Sequence, residues 1–293
     1  MSLRNAIEGW TVVVSRRGSL DFMVVRGYRH PDWGLIVSPY TIFSRRVKSY
    51  DFSWVEDILE RVDCIGRRVP VARYSSVISY IDPEKALKVR RDELDSRVLE
   101  LIDVISPEWS GLTGSWATFS ENLKSDVDLL IYSDPEEVYK VLRDLREERS
   151  IAPCDLEKRA KKIEDLLDLR YYELISQTRL LDSCYKGYPY TLRVLRTLER
   201  EPCSALVYNL GRYEGMLRIK NALGAFAVPA LYEVELIDIG LKAVLETWHT
   251  RFAELPKGLY MARVSLFEER GTLKTSPDID GWMRLEVLEE NQT

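Results

Sequence analysis

No stretch of the 293 residues approaches the roughly 18 uninterrupted apolar positions of a membrane-crossing helix. The opening Met1-Ser2-Leu3-Arg4-Asn5 meets charge before any apolar signal core forms. No membrane span is expected, and the cytoplasm is the expected location. Histidine is almost missing, with only His30 and His249. The four cysteines, Cys64, Cys154, Cys184 and Cys203, stand far apart without CxxC spacing. A zinc site needs closely spaced ligands, so none is expected. Side-chain amides are scarce too, five Asn and two Gln, while 30% of residues are charged, a balance that points to a heat-adapted source. There is no surplus of positive charge: 42 basic against 47 acidic residues give −5. That excludes a chain coated for non-specific nucleic-acid binding and leaves room for a local basic site.

What is present suits packed cores, with 45% hydrophobic and 10% aromatic residues. At about 150 residues per domain, two or three domains are expected. Residues 1–82 read as an amino-terminal α+β unit: short apolar runs such as Trp10–Val14, Asp21–Val25, Gly34–Val37 and Val69–Arg73 suggest strands. Ser53-Trp-Val-Glu56 suggests a capped helix carrying Val55, Ile58, Leu59 and Val62. Residues 83–200 alternate helix and strand. Leu94, Val98, Leu101, Ile102 and Ile105 form one helical face, Val127–Tyr132 reads as a buried strand, and Asp134-Pro135-Glu-Glu137 opens a helix. Helix is also expected over 116–122 and 155–181, and a strand over 188–195. Residues 201–293 read as a β-rich module, a small barrel or sandwich of short strands.

The chemistry-bearing stretch runs from Leu112 to Ile131, where Gly114-Ser115 precedes Asp126-Val-Asp128. Glycine lets backbone amides approach a phosphate closely, Ser115 adds a hydroxyl donor, and a helix starting there would aim its positive end at the anion. Residues two apart on a strand share a face, so Asp126 and Asp128 would converge where a magnesium ion offsets their repulsion. Ser125 would steady the carboxylate turn.

This pattern resembles the signature of the DNA polymerase β-like nucleotidyltransferase superfamily: hydrophobic-Gly-Ser, a spacer, then Asp-hydrophobic-Asp. The wider chain resembles an archaeal family of predicted nucleotidyltransferases, through Gly27-Tyr28-Arg29-His30-Pro31 and the Lys186-Gly187-Tyr188 turn. The resemblance implies an α+β fold, a mixed-sheet nucleotidyltransferase core with flanking helices between the two other parts. It implies magnesium-dependent nucleotidyl transfer from a nucleoside triphosphate to an unidentified acceptor, possible acceptors being RNA or protein. Asp126 and Asp128 would then be the catalytic metal ligands, and Gly114, Ser115 and Ser125 the nucleotide-binding residues. The alternative is a catalytically inactive relative that binds a nucleotide, RNA or a protein.

Two positions depart from the signature. Phe119 stands four residues after the serine, where glycine is common, and Thr191 and Arg193 stand on the strand that usually brings a third carboxylate. Asp182, Glu233 or Glu235 could supply that ligand if the fold brought one near. Read without chemistry, the motif is a strand, turn and helix with solvated acids, and His30 is an ordinary turn or surface histidine; the other reading of His30 is a contact to substrate. Arg67, Arg68, Arg73, Arg90 and Arg91 read as solvated charge or as a grip on phosphate. Tyr171, Tyr172, Tyr185, Tyr188 and Tyr190 read as packing or as stacking surfaces.

Overall fold

The computed structural model describes residues 3–42, 45–47, 52–120, 126–154, 175–278 and 281–288. Ser125 and residues 155–174 of the helical stretch expected over 155–181 lie outside them.

The amino-terminal part is a six-stranded antiparallel sheet. Its strands are β1 (Thr11–Arg16), β2 (Ser19–Val25), β3 (Gly34–Pro39), β4 (Leu59–Val62), β5 (Arg67–Arg73) and β6 (Val77–Ile81), in the order β4-β5-β3-β2-β1-β6. The expected capped helix here is instead a 3-10 segment, Phe52–Ile58, kinked at Val55. It gives way to β4, because Leu59–Val62 pairs with β5 as a hairpin whose turn closes at Gly66, φ +72°. Ladder pairing outweighs the local helical spacing.

The middle of the chain carries helices α1 (Pro83–Arg90) and α2 (Ser96–Ile105), strand β7 (Trp109–Thr113), the single turn α3 (Gly114–Ala117), strand β8 (Val127–Tyr132) and helix α4 (Pro135–Glu147). Strands β9 (Ile151–Ala152), β10 (Asp182–Tyr185) and β11 (Tyr188–Leu195) complete a five-stranded sheet ordered β7-β8-β11-β10-β9, with β8 and β11 parallel. Asp82, Asp95 and Asp134 cap the three longer helices by accepting backbone N–H bonds. One face of β8, Val127, Leu129 and Ile131, is fully buried in a core shared with Leu101 and Ile102 of α2 and Leu142 of α4. The opposite face turns Leu130 toward the amino-terminal unit, where it packs in a second core with Ile7, Trp10 and Val12. Lys186 and Gly187, with φ of +47° and +81°, form the two-residue hairpin between β10 and β11. That geometry explains the Lys-Gly pair.

The last part is β12 (Val207–Gly224), β13 (Ala230–Leu236), β14 (Leu241–Thr247), β15 (Gly258–Glu269), β16 (Thr272–Ser276) and β17 (Trp282–Leu288). The sheet order is β12-β13-β14-β16-β15-β17, and β12 also pairs with β15, so five strands close into a barrel. The 18-residue β12 bends through register shifts to serve both neighbours. Ala225–Val228 forms part of the connection between β12 and β13.

The expectation of an α+β fold, with a polymerase β-like nucleotidyltransferase core, is overturned. Among the described residues 49% are strand and 23% helix, in several multi-strand sheets with few helices. The expectation gave too much weight to helical spacing in segments that pair as strands or shrink to single turns. Among the described residues no helix is long and apolar enough to cross a membrane.

Two disulfides staple the chain, Cys64–Cys203 and Cys154–Cys184, with Cα separations of 5.2 and 5.1 Å. The first spans 139 residues and ties the β4–β5 turn to the segment before β12. Closing a loop of that size restricts the unfolded chain by about 5 kcal/mol in the chain-entropy account. Cys203→Ser should therefore lower the thermal midpoint by several degrees, and in that variant reductant should have less effect than in the wild type. Scanning calorimetry with and without reductant checks both.

Candidate functional site

Strand register brings the motif together. Asp128 of β8 lies opposite Thr113 of β7 on one side and Thr191 of β11 on the other, and Thr191 lies opposite Asp182 of β10. Residues in register share a face, so Thr113, Asp128, Thr191 and Asp182 form one row across the sheet. Asp126 immediately precedes β8. Its carboxylate is felt by Tyr188 at the start of β11, whose phenol is raised above its ordinary value by burial first, then by Asp95 and by Asp126.

Gly114 follows β7 with φ +66°, and a Cβ there would come within 2.0 Å of the Asp128 Oδ2. The position admits only glycine on both grounds. Gly114 and Asp128 are thus in direct contact across the 13-residue spacing. Ser115 is 4% exposed. Of the helix expected at 116–122, residues 121 and 122 lie outside the described residues, and the described part is the single turn Gly114–Ala117, too short for an appreciable helix dipole, so the loop amides themselves would have to meet an anion. A hydroxyl of Thr113 donates to the carbonyl of Gly9 at 2.8 Å, fixing the start of this loop to the amino-terminal unit.

Arg193 sits two residues beyond Thr191 on the same face. Its guanidinium is 2.8 Å from Glu8 Oε1 and donates to the Trp248 carbonyl at 2.9 Å. Glu8, fully buried, also takes Arg26 at 3.0 Å and the Gly27 N–H at 2.7 Å. Asp182 has Arg179 at 3.6 Å and Thr191 at 3.4 Å. Glu233 and Glu235 lie on β13 of the barrel, where Glu235 pairs with Lys220 and Arg218, away from the motif. Among the described residues no three of His, Cys, Asp and Glu converge as a metal group. Two carboxylates still fit magnesium in one respect: it is commonly held by one or two carboxylates together with substrate phosphates.

His30 is buried, and its Nδ1 accepts the Ile36 N–H at 3.1 Å. This is a core role, neither a surface turn nor a cleft contact. Burial, followed by the Arg200 charge, pushes the imidazole down to about 3.

A cavity of about 340 Å³ lies elsewhere, between the amino-terminal sheet and the barrel. Part of its charged lining is internally paired: Arg29 holds Glu201 and Glu269, and Lys274 holds Glu269 and Glu246. Burial opposes the charge on Lys274, but the two glutamates outweigh it and raise its affinity for the proton. Nothing in the sequence marked this cavity, because its walls come from strands more than 200 residues apart. These ion pairs join the amino-terminal sheet to the barrel across the cavity. Comparison with protein-family models, curated proteins and solved structures finds no match. The resemblance to nucleotidyltransferases therefore rests on the sequence motifs alone.

Two outcomes follow from this geometry. Gly114→Ala should cost more than about 1 kcal/mol from the left-handed backbone alone, with the displaced Asp128 adding to it; urea unfolding measures the loss. For His30 the unfolded imidazole, near 6.5, takes up its proton before the folded one does, so stability is lost as pH falls from about 6.5 toward 3. His30→Asn keeps an acceptor for Ile36 and should flatten that loss in urea melts at pH 7, 5 and 4.

Proposed function

We propose that the cleft at Gly114 and Asp128 binds a nucleoside triphosphate with magnesium and transfers its nucleotidyl group to a hydroxyl acceptor, on RNA or on a protein. The observation that carries this reading is the left-handed Gly114, whose lack of a side chain lets the Asp128 carboxylate pack directly against the Gly114-Ser115 loop and so sets the loop amides beside the acid pair. Asp126 and Asp128 would hold the metal, which when bound supplies charge neutralisation to the phosphates. The amides of Gly114 and Ser115 would orient the β- and γ-phosphates, and Asp126 or Asp128 would accept the proton of the attacking hydroxyl as pyrophosphate leaves. We place the protein in the cytoplasm of a heat-adapted archaeal cell. Its charged composition supports this, and intracellular proteins of hyperthermophiles also carry disulfides.

A second reading, nucleotide, RNA or protein binding without catalysis, draws on Thr191. It occupies the position in the row next to Asp128, while the nearest acid beyond it, Asp182, is engaged by Arg179. Titration calorimetry with ATP and magnesium tests the shared premise. Asp128→Asn should abolish the magnesium dependence of ATP affinity while the melting temperature holds or rises, because like-charge repulsion with Asp126 is relieved. Unchanged magnesium linkage would refute the site. Label transfer from radioactive ATP, lost in Asp126→Ala, separates the enzyme from the binder.

A further inference from the structure

Phe119 is an anomaly of position. It has φ +55°, a left-handed conformation that bulky side chains disfavour and glycine adopts readily, yet the residue is 64% exposed. A residue that strains the backbone without filling a core calls for a role at the surface. Hydrogen bonds hold the turn on its amino-terminal side. The Ser120 N–H donates to the Ser115 carbonyl at 3.0 Å, and the Thr118 hydroxyl reaches the carbonyls of Gly114 and Ser115 at 3.1 and 3.2 Å. Beneath the ring lies the buried guanidinium of Arg90, 4.6 Å from its centroid and 5.2 Å from that of Trp116. Arginine closes the inner face of the phenyl ring and the outer face meets solvent, one turn from Gly114 and Ser115.

We propose that Phe119 is the stacking platform for the base of a nucleotide held in the Gly114/Asp128 cleft. This rests on the reading of that cleft as a triphosphate site and narrows its ligand to a base-bearing triphosphate rather than a plain polyphosphate. An aromatic ring stacks on any base through its π-face, so the platform provides affinity without strong base preference.

The full chain is titrated calorimetrically with ATP and with inorganic tripolyphosphate, each with magnesium, in the wild type and in Phe119→Gly, Phe119→Trp and Asp128→Asn. Loss of one stacked base should weaken ATP binding about tenfold in Phe119→Gly. Tripolyphosphate binding should not change, and the melting temperature should hold or rise as the left-handed strain is relieved. Phe119→Trp should restore ATP affinity. Equal weakening of both ligands, unaltered ATP affinity, or a fall in melting temperature would overturn the proposal, the last showing that the ring merely shields Arg90 and Trp116. Magnesium-dependent tripolyphosphate binding that survives Asp128→Asn would instead overturn the reading of the cleft. Failure of the wild type to bind either ligand would overturn both.

Discussion

The buried carboxylate of Glu8 is the point on which the three parts of the molecule meet. Arg26 approaches it from the amino-terminal sheet and Arg193 from the central sheet, while Arg193 also donates to Trp248 at the edge of the barrel. A carboxylate withdrawn from water is tolerated only with full pairing, and removing one partner of such a group typically costs about 3–5 kcal/mol. The next residue continues the joint. Gly9, φ +85°, lies so close to Leu130 that a Cβ would meet its Cδ1 at 2.4 Å, and its carbonyl takes the Thr113 hydroxyl. Thr113 precedes Gly114. The loop facing Asp128 is therefore positioned by the amino-terminal unit as much as by its own strand.

The parts of this arrangement that could be read from the sequence are the local ones. Val127–Tyr132 is a run of apolar residues broken by one acid, and a buried strand is the simplest account of it. The short spacer from Gly114 to Asp128 permits contact, and Lys186-Gly187 is a turn by its composition. The long-range choices left no local trace. Arg193 alternates in register with Thr191 and so could have faced the acids, but its partner comes from 185 positions earlier in the chain. Helical spacing in residues 53–62 was real but gave way to the hairpin with β5. Closure of the barrel depends on β12 serving two neighbours, which no windowed pattern reveals. The cysteines pair across 139 and 30 residues, spacings without a motif.

Charge is used in this protein more as mortar than as coating. Arg29, Glu269, Lys274 and Glu246 form a continuous chain of alternating sign between the first sheet and the barrel. Burial raises the cost of each charge, yet both partners of Glu269 hold its carboxyl below the ordinary range against that cost. Such networks gain relative to isolated pairs as temperature rises, because dehydrating an ion becomes less costly.

The Cys64–Cys203 bond has a topological effect as well as an energetic one. It converts residues 64–203 into a covalent ring that contains the whole central sheet: Gly114, Asp126, Asp128, Asp182 and Thr191 all lie within it. A single break of the backbone anywhere on that ring opens a circle without parting the molecule. The strand ends on either side of the break remain tethered to each other through the sulfur atoms, and the row of residues across β7, β8, β11 and β10 can stay assembled around the cut.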